Sequence, residues 1–224
     1  MQLNRFVYDT NLRSLEMELM MADFPEEVIW LLRQEMPLGW RENFYMPFDT
    51  QAFGCRLKGM LCFEQAPVND LYRFASFELE LPEDTDALVW KFRFDRNEGM
   101  AMGLREAVNL MHGRPVYRDY RYDRQRLGYW LELSPGEEGF EVVRSSSDFS
   151  IDDALDRGLF KRRLGSEACL EIAEALRKGD RVKVDVNGKT VYVEVLLGRE
   201  RLELTNAAGR PAKLNWWELF VNRR

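Results

Sequence analysis

The stretch MAMGLREAVNLMHGRPVYRDYRYDRQRLGYWLEL, residues 100–133, decides the fold that the sequence predicts. Its first half carries apolar residues at helical spacing, namely Leu104, Ala107, Val108 and Met111. Gly113 stands where helices commonly end, and Pro115 cannot continue a helix. Two strands joined by a turn at residues 123–126 follow, so the stretch predicts a helix leading into a β-hairpin.

Upstream of this stretch, the pattern predicts two helices and then an antiparallel sheet. The helices are expected over residues 10–22 and 23–36, with Asp23 capping the second. Strands are expected over residues 56–64, 71–81 and 87–95. In the last of these, one face carries Leu88, Trp90, Phe92 and Phe94. Such alternation is typical of half-buried antiparallel strands, so we expect a three- or four-stranded meander covered by the helices.

Downstream, the sequence predicts two short helices and a small sheet. The serine-rich segment 144–148 is typical of a linker. Ser150 and Asp153 match a capping box that opens a short helix, and residues 166–178 form an amphipathic helix stopped by Gly179. Asn187-Gly188 is a strong hairpin signal. The flanking strands are expected over residues 182–186, 191–197, 201–205 and 214–221.

These elements predict an α+β protein made of antiparallel sheets, as meanders and hairpins with helices packed on one face. Two domains are expected, residues 1–147 and residues 148–224. Residues 104–121 also align with residues 170–187, which indicates two related helix–glycine–hairpin units. The alignment has two interpretations: an internal duplication, or the features that any helix–glycine–strand unit shares.

Composition and charge exclude several classes of protein. Hydrophobic residues make up 46% and charged residues 31% of the chain, as in ordinary globular proteins. No apolar run approaches the roughly 20 residues of a membrane span, and no signal pattern opens the chain, so a cytoplasmic location and no membrane partner are predicted. The three cysteines lack zinc-ligand spacing and predict buried free thiols. A net charge of −6 is atypical of a nucleic-acid-binding protein.

Three segments carry a resemblance to a known family: LREAVNLMHGRPVYRD, DFSIDDAL and ALRKGDRVKVDVNGKTVYVEV with the later LELTN. They resemble an uncharacterised family of cytoplasmic bacterial proteins that are often encoded near mobile genetic elements. Gly113, Arg114, Gly179 and Gly188 stand at the motif positions, and the likeness spans about residues 100–205. Tyr120-Arg121-Tyr122 departs from the glycine-containing turn of the family. The resemblance implies the architecture and a non-secreted bacterial origin, and no catalytic activity.

Catalytic signals are weak throughout the sequence. His112 is the single histidine, which excludes multi-histidine metal sites. It stands at a predicted helix end, where an imidazole caps terminal carbonyls; catalysis is the alternative. There is no GxSxG motif, and the glycines at 99 and 103 lack the lysine of a phosphate loop. The sequence therefore predicts no catalytic residue, no metal and no cofactor.

The predicted hairpin is rich in arginine and tyrosine, which suggests single-stranded nucleic acid as a ligand. Guanidinium groups contact phosphates, and aromatic side chains on a sheet stack on bases. The alternative is a structural sheet face of cross-strand Arg–Asp and Arg–Tyr pairs, which the interleaved Asp119 and Asp123 favour. The candidate residues are Arg114, Arg118, Arg121, Arg124, Arg126, Tyr117, Tyr120 and Tyr122.

Trp216 and Trp217 form a second candidate site, since tryptophan is frequent at the centre of protein interfaces. Core packing of these two side chains is the alternative. The sequence favours a non-enzymatic protein-interaction or assembly module, with a protein partner or a second copy of the chain as ligand. A nucleic-acid-binding accessory protein is the second hypothesis, and an unrecognised enzyme is the third.

Overall fold

A computed structural model describes residues 5–37, 42–66, 71–83, 85–96, 101–122, 125–137, 139–157, 165–186 and 189–212, with the backbone alone described at residues 120–122, 125–127, 157 and 186. It confirms the predicted α+β class with antiparallel sheets. The chain divides into two compact units, one ending at His112 and the other beginning at Gly113. The predicted boundary after residue 147 therefore lies inside the second unit.

The first unit is a four-stranded meander with three helices. Its helices are α1 (Arg5–Met21), α2 (Glu26–Glu35) and α3 (Leu104–Met111). Its strands are β1 (Asn43–Ala52), β2 (Cys55–Gln65), β3 (Tyr72–Glu80) and β4 (Lys91–Asp95), paired in that order. The predicted meander covered by the N-terminal helices is confirmed, because Phe24 between α1 and α2 packs on the rings of Phe48, Phe74 and Phe77.

Two predicted details of this unit are wrong. Asp23 does not cap α2: it adopts a left-handed backbone conformation with φ of 59°, and Pro25 occupies the N-cap position. The last strand begins at Lys91, so the predicted shared face with Leu88 and Trp90 is lost. The backbone N–H groups of Leu88 and Val89 donate instead to the carbonyl oxygen of Met111, at the end of α3.

Helix α1 supplies polar side chains to the sheet. The buried side chain of Asn11 donates from Nδ2 to the carbonyl oxygen of Tyr72 and accepts from the Tyr72 N–H, at 2.8 and 2.9 Å. Glu18, two turns further along α1, accepts from the N–H of Phe74 at 3.3 Å. Strand β4 pairs with β3 only from Ser76 onward. The two helix side chains therefore satisfy the part of β3 that β4 does not reach.

The second unit contains two three-stranded meanders and two helices among its described residues. One sheet holds β5 (Val116–Tyr122), β6 (Gln125–Gly136) and β7 (Gly139–Ser145). The other holds β8 (Val182–Val186), β9 (Lys189–Leu196) and β10 (Arg201–Thr205). The helices are α4 (Ile151–Arg157) and α5 (Ser166–Arg177). The predicted strand over residues 214–221 lies outside the described residues.

Trp130 anchors the core of the second unit. Its side chain is fully buried among aliphatic residues of both helices and of the β8–β10 sheet. The indole N–H donates to the carbonyl oxygen of Phe149 at 3.0 Å. This bond holds Phe149 next to β6. The predicted linker, residues 144–148, therefore leads directly into packed structure, and its first two residues belong to β7. The predicted helix start at Ser150 lies beside it, with one of the two capping-box hydrogen bonds: the Ser150 Oγ accepts from the Asp153 N–H at 3.2 Å.

Candidate interaction surface

The outer face of the α1–α2 hairpin exposes large apolar side chains. Leu15 and Leu19 turn one side of α1 into the core. The opposite side exposes Phe6, Met17, Met20 and Met21 by 76%, 54%, 62% and 78%, and α2 exposes Trp30 by 55%. We call these five side chains the methionine patch. Because they lie opposite the buried face, the amphipathic pattern that buries Leu15 and Leu19 does not account for them.

An ion pair fixes how the two helices align at this patch. The Arg33 guanidinium on α2 contacts the Glu16 carboxylate on α1. Met20 on α1 and Trp30 on α2 lie one helical turn away from this contact, towards the loop that joins the two helices. The two side chains therefore stand on the same stretch of the hairpin. Sequence patterning missed this surface because Met17 and Met20 were assigned to no face.

The electrostatics of the hairpin are acidic. Residues 5–37 contain seven Asp and Glu against three Arg, a net charge of −4. Burial raises the pKa of Glu18 above its usual range, although the Phe74 N–H and Arg96 partly oppose that shift. The hydroxyl of Thr50 donates to Glu27 at 2.5 Å and lowers the pKa of that carboxyl. The methionine patch thus lies on a negatively charged hairpin.

The exposed face of the β1–β4 sheet is different in kind. Arg56 binds Asp49 through two hydrogen bonds of 2.8 and 2.6 Å. Lys91 bridges Glu78 and Glu80 at 2.7 and 2.6 Å, and these two carboxylates raise its pKa. These cross-strand pairs satisfy charges on the sheet surface.

The structure distributes the predicted nucleic-acid residues over two faces of the β5–β7 sheet. Tyr117 packs edge-on against Trp130, with ring centroids 5.1 Å apart. Arg118 pairs with Tyr129 in the register, on the opposite face. The guanidinium of Arg144 lies 4.4 Å from the Tyr129 ring centroid, a contact that the sequence did not indicate. Of the predicted set, Tyr117 faces the core and Arg118 faces away from it.

The remaining predicted site residues are only partly described. Arg114, in the connection that leads from α3 to β5, is half-buried. The side chains of Arg121, Arg126, Tyr120 and Tyr122 lie outside the described part of the structure, as do all of Arg124, Trp216 and Trp217. Nucleic-acid binding by the hairpin and an interface at the two tryptophans therefore stay predictions.

His112 caps α3, in the position that its sequence context predicted. Its Nδ1 lies 2.8 Å from the carbonyl oxygen of Val108, so this nitrogen donates to the open end of the helix. Its Nε2 lies 3.8 Å from the Asp86 carboxylate. At the other end of α3, the buried Glu106 accepts from the Gly103 N–H at 2.9 Å. Both polar side chains therefore stabilise helix ends.

Comparisons with known proteins add no assignment to these surfaces. A scan against protein-family models, a search of curated proteins and a search of solved structures each found no match. Among the described helices, none combines the length and the apolar character that crossing a membrane requires. Any function assigned to these surfaces therefore depends on the geometry and the chemistry of the chain itself.

Proposed function

We propose that the chain is a non-enzymatic protein-interaction module that binds its partner on the methionine patch. The observation that carries the proposal is the exposure of Phe6, Met17, Met20, Met21 and Trp30 on one hairpin. Large apolar side chains that are exposed together on one element mark interaction sites in proteins. Methionine and tryptophan are both enriched in interfaces, and methionine adapts to partners of different shape. A cytoplasmic location is part of the same proposal.

The charge of the hairpin suggests what the partner looks like. An apolar segment flanked by lysine or arginine complements the net charge of −4 over residues 5–37. A second copy of the chain is the other occupant. It would bring two acidic hairpins together, which opposes association. The proposal therefore favours a different, basic protein over assembly of the chain with itself.

Site-specific photo-crosslinking tests the proposal. A photoreactive amino acid is placed at position 20, inside the patch, or at position 170, and the chain is irradiated in cell extract. Leu170 is the matched control, because it is a single apolar side chain, 63% exposed, on α5 of the second unit. We expect a discrete crosslinked product from position 20 that is absent from position 170.

A second substitution makes the crosslinking result specific. Met17→Glu places a charge in the patch without touching the core, and we expect it to abolish the product from position 20. Sedimentation velocity at about 1 to 100 µM, the range of micromolar affinities, measures self-association separately. Identical products from both positions, or products that are unchanged by Met17→Glu, would contradict the proposal.

A further inference from the structure

A cavity of about 280 Å³ lies in the second unit, beside the buried Trp130. One wall is the β5–β6 hairpin, which contributes Tyr117 and the indole of Trp130. The opposite wall is the segment 147–152, held in place by the bond from the Trp130 indole to Phe149. Arg177, the last residue of α5, closes a third side. The cavity therefore has an aromatic wall and a polar wall.

The charges at this cavity do not balance. The Nη2 atom of Arg177 lies 2.8 and 2.6 Å from the two carboxylate oxygens of Asp152, so each of these groups is compensated by the other. Asp148 is exposed and lines the same cavity. Within the described part of the chain, its carboxylate takes part in no hydrogen bond or ion pair. Among the described residues, this negative charge has no counter-ion at the cavity.

The aromatic wall also presents an unused polar group. The ring of Tyr117 lies across Gly128, where a Cβ atom would come within 1.8 Å of the Tyr117 hydroxyl oxygen. The absence of a side chain at Gly128 thus leaves room for the hydroxyl end of the Tyr117 ring. Among the described residues, the Tyr117 hydroxyl has no hydrogen-bond partner. The cavity accordingly combines a carboxylate, a phenol and two aromatic rings.

We propose that this cavity binds the head group of an organic cation, a primary ammonium or a guanidinium. Such a group donates several N–H bonds, which the Asp148 carboxylate and the Tyr117 hydroxyl accept, and its charge is attracted to aromatic faces. An anion is disfavoured, because Arg177 is already engaged and Asp148 repels it. The volume suits a head group with a short chain rather than a large cofactor. The cation is either a free amine or a lysine or arginine side chain. The site is independent of the methionine patch.

Nuclear magnetic resonance of the full chain tests this proposal. The indole N–H of Trp130 provides a reporter in the cavity wall, and its cross-peak is followed during titration. The ligands are n-butylamine and agmatine for free amines, and Nα-acetyl-lysine amide and Nα-acetyl-arginine amide for side chains. n-Butanol and butyrate are the neutral and anionic controls. We expect the cations to move the cross-peak at concentrations up to about 10 mM, and the controls to leave it in place.

Substitutions then assign the binding groups. We expect Asp148→Asn to weaken cation binding by roughly tenfold or more, as for one lost hydrogen bond to a charged group. Tyr117→Phe, which keeps the ring, should weaken it by a few fold. Asp9→Asn removes the same charge from an exposed residue that does not line the cavity and should change the affinity less than twofold. Equal binding of butyrate, an unchanged affinity in Asp148→Asn, or no response to any cation would overturn the proposal.

Discussion

Both compact units place a glycine of a central strand beneath an aromatic ring, but the two rings have different surroundings. In the first unit, Gly59 in the central strand β2 lies beneath the ring of Phe48, its cross-strand partner. In the second unit, Gly128 in the central strand β6 lies beneath the ring of Tyr117, a diagonal neighbour. Phe48 continues into the aromatic core around Phe24. Tyr117 instead borders a polar cavity.

The difference lies in what surrounds each glycine. A Cβ atom at Gly59 would stand 2.1 Å from the carbonyl oxygen of Glu78, which is backbone of the neighbouring strand. At Gly128, the three nearest atoms all belong to the side chain of Tyr117. A side chain can rotate away, whereas a paired strand cannot. The first contact is therefore a requirement of the fold, and the second is compatible with a ligand site.

The largest effect is expected from Gly59→Ala. Because the added methyl group meets both the Phe48 ring and the Glu78 carbonyl, strands β2 and β3 must separate, at a cost of about 3 kcal/mol or more of unfolding free energy. Urea unfolding, with hydrogen exchange measured on peptides from β2 and β3, checks the size and the place of the loss. Adding Phe48→Leu should not restore stability, and full restoration would contradict the backbone explanation.

A smaller effect is expected from Gly128→Ala. The methyl group displaces only the Tyr117 ring, so we expect a loss of about 1 to 2 kcal/mol. The double variant with Tyr117→Ala should be more stable than the sum of the two single losses predicts, since the second change removes the clash. Urea unfolding of the four proteins in this cycle measures the coupling. Simple additivity would show that the ring does not rest on Gly128.

The smallest effect concerns a carboxylate of the first unit, Glu18 beside the aromatic core. Burial raises the pKa of Glu18, so its protonated form is favoured in the folded state. The stability gained by protonating Glu18 is fully present below the pKa that Glu18 has in the unfolded chain. It is lost as the pH rises through the pKa that Glu18 has in the folded protein. At neutral pH the half-buried charge therefore costs stability. Glu18→Gln should raise the unfolding free energy at pH 7 by less than about 1 kcal/mol.

Unfolding measured from pH 3 to 8 checks this sign. The gain in Glu18→Gln should shrink towards zero as Glu18 becomes protonated. Glu35→Gln, at an exposed position near the end of α2, is the matched control and should show little change at any pH. A variant Glu18→Gln that is less stable than the parent chain at pH 7 would show that Arg96 or the Phe74 N–H needs the charge.

Local patterns of the sequence predicted most of the elements. Alternation of side chains indicated the first meander, and Gly113, Gly179 and Ser150 marked real helix ends or starts. Competition from a distant group explains the error in the last strand of the first meander. Strand β4 is short because Met111, much later in the chain, takes the N–H groups of Leu88 and Val89. Such competition does not appear in any local window.

The candidate sites were less predictable for the same reason. Residues 144–148 have the composition of a linker, whereas the bond from Trp130 to Phe149 holds the adjoining residues as a cavity wall. Tyr117 was singled out for its neighbours in sequence, whereas its contacts depend on the register of β5 and β6. Exposure in the folded chain, and not the sequence pattern, distinguishes the methionine patch, since methionine fits equally well in a core.

The contacts of α1 with β3 protect an open edge of the sheet against aggregation. An open strand edge can accept a strand from another molecule and begin a growing aggregate. At Tyr72 and Phe74 that edge is occupied by Asn11 and Glu18, which take hydrogen-bonding positions that an incoming strand would need. The polar residues of helix α1 therefore protect the sheet from polymerisation, while its exposed apolar residues are those on which we propose that a partner binds.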